Sequence, residues 1–400
     1  MMRPGARWKG VSLFLISGLF VISGLFVAAC GSGGGSASMT PMPPVAESSE
    51  PCIPSGTEIE INAALKLGGS EAILCPGARF ELSAPVTYTA SSQKVFTQGK
   101  PTDDTRATLI IVNPDITTAV LMRDFDAAEL TNVIVDGNRE QLEYKQGDAL
   151  IYAGGVSSGQ IISQNIIRNT RSWSSLQLIE GGATPCTGAR AEGNVIGPAG
   201  TSEEWADGIS LACEDSIVSG NTIVDATDGA IVVFGAPGSV IEDNTIRAET
   251  RTLLGGINMV DYGPYEGDFT GTIVRNNSID AAGAVIRIAL GMGARVWGCY
   301  DDSNAEPPLF GGTVTGNTLK GTKMQYGFAV SGVKDWTISD NTDESTHVGT
   351  PSIPCGATVA SKLGGFLIDP RYSKGTFQPE FKDAVLDLAL WAIVKPRPGN

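Results

Sequence analysis

The sequence contains a single histidine, His347, and that scarcity removes two classes of chemistry. A Ser/His/Asp triad needs an imidazole beside its nucleophile, whereas His347 stands alone after the last clear repeat of the chain. A zinc site is equally short of ligands, because no CxxC pair makes up for the missing imidazoles. Charge is sparse, and basic side chains are the scarcer kind: 28 Lys and Arg against 43 Asp and Glu leave a formal net charge of −15. A chain of that sign with no basic patch is not a nucleic-acid binder, and a polyanionic substrate is disfavoured. Helical periodicity is missing from the body of the chain, which excludes helical and leucine-rich repeats. Gly154-Gly155 and Gly291-Met292-Gly293 lack a following Lys-Ser/Thr and a helix, so they are not phosphate loops. What is plentiful is turn: 50 Gly and 22 Pro in 400 residues suit a large, mostly β protein.

At the N-terminus Arg3, Arg7 and Lys9 precede an apolar run from Val11 to Phe26, and Val27-Ala28-Ala29-Cys30 closes it. Small residues before a cysteine resemble the lipobox of bacterial lipoprotein signals. That resemblance implies removal of residues 1–29, acylation of Cys30, and an exported cell-envelope lipoprotein facing the periplasm or the cell surface. The competing reading is an uncleaved anchor, since the apolar run is nearly long enough to span a bilayer. Residues 30–51 are rich in Gly, Ser and Pro and read as a flexible tether. Setting Cys30 aside leaves six cysteines, an even number that suggests disulfides in an exported chain. Sequence does not fix their connectivity; pairing of chain neighbours gives Cys52–Cys75, Cys186–Cys213 and Cys299–Cys355.

An internal repeat sets the fold. Asn followed by a small or β-branched residue and an aliphatic recurs at Asn132, Asn165, Asn194, Asn221, Asn244, Asn277 and Asn317, with a degenerate copy at Asn341. A repeat of 20 to 50 residues with variable insertions marks a solenoid. Short alternating strands flank each copy, so the expected architecture is an all-β, right-handed parallel β-helix over residues 52–346. In such a coil the recurring Asn stacks on its counterparts and satisfies turn amides that would otherwise be buried unpaired. These asparagines are structural, not site residues. A short helix over Glu58 to Leu67 is expected to cap the first coil. A second, over Pro379 to Val394, is expected to cap the other end within a tail of residues 347–400.

Ile61-Asn62-Ala63-Ala64-Leu65, Gly68-Gly69, Ala72-Ile73-Leu74-Cys75-Pro76-Gly77 and Phe80 to Val86 resemble the entry segment of pectin-lyase-like β-helix proteins. With the Asn repeat, the similarity runs from Thr57 to Asn341. That superfamily holds polysaccharide lyases, polygalacturonase-type glycosidases, epimerases, tailspikes and noncatalytic adhesins, so the resemblance does not select an activity.

Aspartates precede three of the recurring apolar strands: Asp148, Asp207 and Asp228. Asp207 and Asp228 are 21 residues apart, one coil, which is expected to stack their carboxylates one strand spacing apart. Two facing carboxylates suit glycoside hydrolysis, because mutual repulsion raises one proton affinity and leaves an acid beside a base. Ala206-Asp207-Gly208 and Thr227-Asp228-Gly229 resemble the aspartate segments of polygalacturonases. Leu254-Gly255-Gly256-Ile257 occupies the place of that family's Gly-His-Gly without its histidine. Arg287-Ile288-Ala289 keeps the arginine of the family's Arg-Ile-Lys and loses the lysine. Those departures and the acidic charge point to a neutral polysaccharide or oligosaccharide. The bland alternative for both aspartates is turn chemistry, as in Asp136-Gly137. Asp261 is a third catalytic candidate, with Glu180 beside it as a weaker one on the far wall. Asp148, Trp173, Trp205, Asn258, Tyr262 and Arg287 are the candidate substrate-binding residues. Tyr265, Trp297 and Tyr300 add further aromatics in Gly-rich loops suited to stacking on sugars. No cofactor is expected for a hydrolase. The alternatives are a polysaccharide lyase, which would hold Ca²⁺ and use a basic residue such as Arg287, and a noncatalytic glycan-binding adhesin.

Overall fold

The computed structural model describes residues 51–384 except 183, 185, 262–263, 298–307 and 352–360. The signal region, Cys30, the tether, Cys299–Cys355, Tyr262 and Tyr300 therefore lie outside the described residues.

Strands too short to bury a face alone become a core by stacking. The chain visits three sheets in turn, as in Ile217–Ser219, Thr222–Val224 and Gly229–Val233. Each strand pairs in parallel with its equivalents one coil before and after. The result is the expected right-handed parallel β-helix. Its interior is filled by inward aliphatics with no exposure, among them Ile162, Ala191, Val218, Ile241 and Val274 of the first sheet.

The Asn column is continuous from Asn165. The side-chain amide of each donates to the carbonyl oxygen of the next through Asn194, Asn221, Asn244, Asn277, Asn317 and Asn341, at 2.9–3.1 Å. The backbone N–H of each donates to that same oxygen, so every rung satisfies a buried main-chain donor. Gln378 ends the column: its Oε1 accepts from Asn341 Nδ2 at 3.1 Å, and its Nε2 donates back to the Asn341 carbonyl. Asn132 is not a rung. In its coil the rung position falls one residue later, at Val133, whose N–H donates to Asn165 Oδ1. Asn132 instead adopts φ +52° and bonds the Lys100 and Pro101 carbonyls.

At the N-terminal end, helix Glu58–Ala64 starts with a capping box between Thr57 and Glu60 and lays Ile61 and Leu65 onto the first coil. Glu58 and Asn62 accept from the Ser83 and Thr87 N–H groups, fixing the cap in place. The other end differs from expectation. Strands Gly364–Ile368 and Ser373–Phe377 carry the sheets past residue 346. Where the second helix was expected to begin, Pro379–Lys382 are turn and coil and Asp383–Ala384 form a strand on Leu367–Ile368. That pairing covers the outer edge of Leu367–Ile368; residues 385–394 lie outside the described residues. Disulfides Cys52–Cys75 and Cys186–Cys213 join neighbouring coils, with Cα–Cα distances of 4.9 and 4.7 Å.

Candidate active site

The third sheet presents its outer face as the polar one. Along its strands Leu176 and Leu178, Ile209 and Leu211, Ile231 and Val233, and Ile257 and Met259 point inward with no exposure. Gln177, Ser210, Val232 and Asn258, which pair across coils, alternate outward between them. Ahead of these the strands bend, so that two successive residues face the core. A Cβ on Gly208 would come within 3.0 Å of the core Ile223 Cγ2 and 2.5 Å of the Ala230 carbonyl oxygen. The residue before this glycine, Asp207, is thereby turned out. It lies inside strand Asp207–Ala212, and neither Gly208 nor Gly229 has the positive φ of a turn glycine.

Register corrects the stacking of the two aspartates. Ile209 pairs with Ile231, a 22-residue step, so Gly229 and not Asp228 sits opposite Asp207. The Gly229 N–H donates to Asp207 Oδ1 at 2.9 Å, while the Asp228 N–H goes to the Ala206 carbonyl. Asp228 is a diagonal neighbour, close enough for its charge to act on Asp207 but one register place away. Burial, followed by that charge, raises the Asp207 proton affinity well above the usual carboxylate range. The Gly229 and Ser210 hydrogen bonds oppose this without reversing it. Asp228 is half-buried.

Asn258 shares the spot. Its side chain crosses the space left by two glycines: a Cβ on Gly229 would lie 2.8 Å from Asn258 Nδ2 and 3.3 Å from Asp207 Oδ1, and one on Gly255 1.9 Å from Asn258 Oδ1. Asn258 Nδ2 lies on the Gly229 and Asp207 side, while Oδ1 packs against Gly255 and is buried with no hydrogen-bond partner. Two serines complete the cluster, with Ser210 Oγ 2.9 Å from both Asp207 Oδ2 and Ser174 Oγ.

The remaining candidates divide. Following the register outward, Asp148, Trp173, Ala206, Asp228, Leu254, Arg287 and Gln325 form one column along the edge of the sheet. Trp173 and Trp205 are half-buried beside Asp207 and Asp228, and Trp205 Nε1 donates to the Ser202 carbonyl. Asp148 is exposed two coils before Ala206. Arg287 stands two coils beyond Asp228, about 10 Å by strand spacing. Its Nη1 donates to Gln325 Oε1 at 2.8 Å, and burial lowers its proton affinity. Asp261 is not brought to the pair. It lies six residues beyond Gly255, up to about 20 Å along the strand direction, at the opposite edge of the sheet. Glu180 shares that edge; it is 5% exposed, and burial raises its proton affinity although Arg123 counters this. There Tyr265 reaches across to bond the Ala212 carbonyl.

Ser210 was absent from the sequence reading. Alternation alone would have set Ser210 and Asp207 on opposite faces; the break at Gly208, which lets two successive residues face the core, brings both outward. A separate cleft of about 580 Å³, lined by residues including Arg139, Tyr144, Glu204 and Arg251 in the turns between the second and third sheets, takes in none of the expected site residues.

No protein-family model and no curated protein matches the sequence. Among solved structures, the DFA-IIIase from Arthrobacter chlorophenolicus A6 in complex with GF2 is 14% identical, covering 85% of this chain and 98% of that one, with a TM-score of 0.48. The endo-xylogalacturonan hydrolase from Aspergillus tubingensis is 11% identical over 76% and 94%, with a TM-score of 0.43. The Dettilon tailspike protein is 15% identical with a TM-score of 0.41; the match covers 77% of this chain but only 59% of the tailspike. The fold stands on the three parallel sheets themselves: the chain is a right-handed parallel β-helix.

Proposed function

We propose that this chain is a glycoside hydrolase that cleaves a neutral polysaccharide or oligosaccharide on the outer face of the third sheet. The carrying observation is Asp207, an outward carboxyl that is nearly fully buried, raised in proton affinity and placed diagonally to a second carboxylate. Burial disfavours its charge, so Asp207 is the general acid that protonates the leaving oxygen; Asp228, more open to solvent, is the ionised partner. Asn258 Nδ2 lies on the Asp207 side of the same face, and Trp173 and Trp205 offer ring faces for stacking. Arg287 bonds hydroxyls further along the column. The N-terminal segment delivers the protein to the cell envelope, where acylated Cys30 holds it at the membrane.

Incubation of the purified chain with neutral and acidic glycans, with and without EDTA, tests the reading. New reducing ends without ultraviolet absorbance are expected from a neutral glycan. Unsaturated, absorbing products would replace hydrolysis with elimination, and binding without any product would leave an adhesin.

A further inference from the structure

Two serines behind Asp207 are buried on the side of the sheet that should be wet. Ser174 and Ser210 have no exposure, yet both belong to the outer face: Ser174 pairs with Asp207 itself, and Ser210 with Gln177 on the adjoining coil. Their hydroxyls form a chain. Asp207 Oδ2 and Ser210 Oγ are 2.9 Å apart, Ser210 Oγ and Ser174 Oγ 2.9 Å, and Ser174 Oγ reaches the Leu176 carbonyl at 3.2 Å. The far end is a backbone carbonyl, which only accepts. The other carboxyl oxygen, Oδ1, is held by the Gly229 N–H, which only donates.

Counting hydrogens gives this chain two complete arrangements. With Asp207 ionised, Ser210 donates to Oδ2, and Ser174 donates to Ser210 or to Leu176. With Asp207 protonated on Oδ2, the acid donates to Ser210, Ser210 to Ser174, and Ser174 to the Leu176 carbonyl. Every buried oxygen keeps a partner in both. The change between them needs only rotation of two hydroxyls, with no heavy-atom movement. An apolar pair in these positions would leave Oδ2 without a donor at the moment charge forms on it.

We propose that Ser210 and Ser174 form a reversible hydroxyl relay that lets the buried Asp207 carboxyl gain and lose a proton in place. Ser210 is the positioning residue and Ser174 its support. The proposal rests on the reading of Asp207 as general acid. Ahead of transfer the Asp207 O–H turns from Ser210 toward the leaving glycosidic oxygen; when it breaks, the proton goes to that oxygen and the electron pair stays on the carboxylate. Ser210 then turns to donate to Oδ2, and the reverse rotation accompanies reprotonation.

The test is a titration of Asp207 by ¹³C NMR in the full chain with carboxyl-labelled aspartate, its signal identified by loss in Asp207→Asn. Ser210→Ala should move the Asp207 midpoint upward by roughly one pH unit, because the anion loses a donor. Ser210→Thr keeps the hydroxyl and should restore it. Ser174→Ala should shift it in the same direction by less. A serine that merely fills space would leave the midpoint unmoved in Ser210→Ala, and a Thr variant that behaves like Ala would equally overturn the relay. Should Ser210→Ala not fold, the Ser174→Ala and Ser210→Thr midpoints decide: no shift in the first, or a large one in the second, overturns it. Loss of the acid reading is distinguishable, since full turnover in Asp207→Asn would remove the reaction while leaving the titration result standing.

Discussion

The Asn corner and the outer face of the third sheet bury polar groups in opposite ways. At the corner, one residue type repeats and each amide serves its neighbours on both sides, so satisfaction is complete and the same at every rung. On the outer face the residue type changes from coil to coil: Ser174, Asp207 and then two glycines, Gly229 and Gly255, occupy equivalent places. There a carboxyl is held against its preference for charge, and the Asn258 carbonyl has nothing to bond. Uniform stacking is what a scaffold needs. A ligand requires the opposite, a few places where the repeat is broken and a group is left waiting.

Breaking the comparison at the outer face should cost chemistry and spare the fold. Asp207→Asn retains an acceptor for the Gly229 N–H and a donor toward Ser210, so turnover should fall at least about a hundredfold with the melting temperature kept. Its pH signature is specific. Because folding raises this proton affinity, the native chain holds the proton more tightly than the unfolded one. Stability from this group is therefore full below about pH 3.9 and declines as pH climbs toward the raised native value. Melting curves across that range should show the decline in the parent and its loss in Asp207→Asn. Retained turnover in a folded variant would remove the acid.

At the corner the cost should fall on stability. Asn244→Ala strips the acceptor from two Asn221 donors and the donor from the Val218 carbonyl and Asn277. A loss of about 2 kcal/mol by denaturant unfolding is expected. Asn132→Ala, off the column, should cost about half as much. Equal losses would mean that the ladder contributes nothing beyond ordinary turn bonds.

The smallest effect sharpens the contrast at the last coil, where His347 Nε2 meets Asp343 Oδ2 at 2.7 Å. Burial opposes charge on both, yet the mutual bond prevails, raising His347 and, with Ser345, lowering Asp343. Asp343 thus contributes stability above its unfolded value of about pH 3.9, lost as pH falls through its lower native value. His347 contributes fully below about pH 6.5, lost as pH rises through its higher native value. His347→Gln should abolish the alkaline decline, about 1 kcal/mol in size, which melting temperatures at several pH values would detect.

What could be read from the sequence followed the same division. The ladder from Asn165 onward was legible because it depends on a residue type recurring in similar surroundings, and pairing cysteines that are neighbours along the chain matched Cys52–Cys75 and Cys186–Cys213. Asn132 was misplaced, and Asp228 set in register with Asp207, because turns between sheets vary in length and one residue moves a side chain to a different place. Asp261 follows its strand where Asp207 and Asp228 lie at the start of theirs, so in a parallel sheet it falls on the far edge. What the sequence did not reveal was that this edge is too distant for a shared catalytic role. Strands Gly364–Ile368 and Ser373–Phe377 carry no Asn repeat, so the last turns of the solenoid passed for a tail.

A stack of identical rungs has no natural length, and its last member offers the next chain the same invitation that it accepted from the one before. Gln378 withdraws that invitation. Its side chain supplies the acceptor that a further asparagine would bring, and its amide turns back to the Asn341 carbonyl and Glu380. Among the described residues, one glutamine thus closes the asparagine column from within the chain.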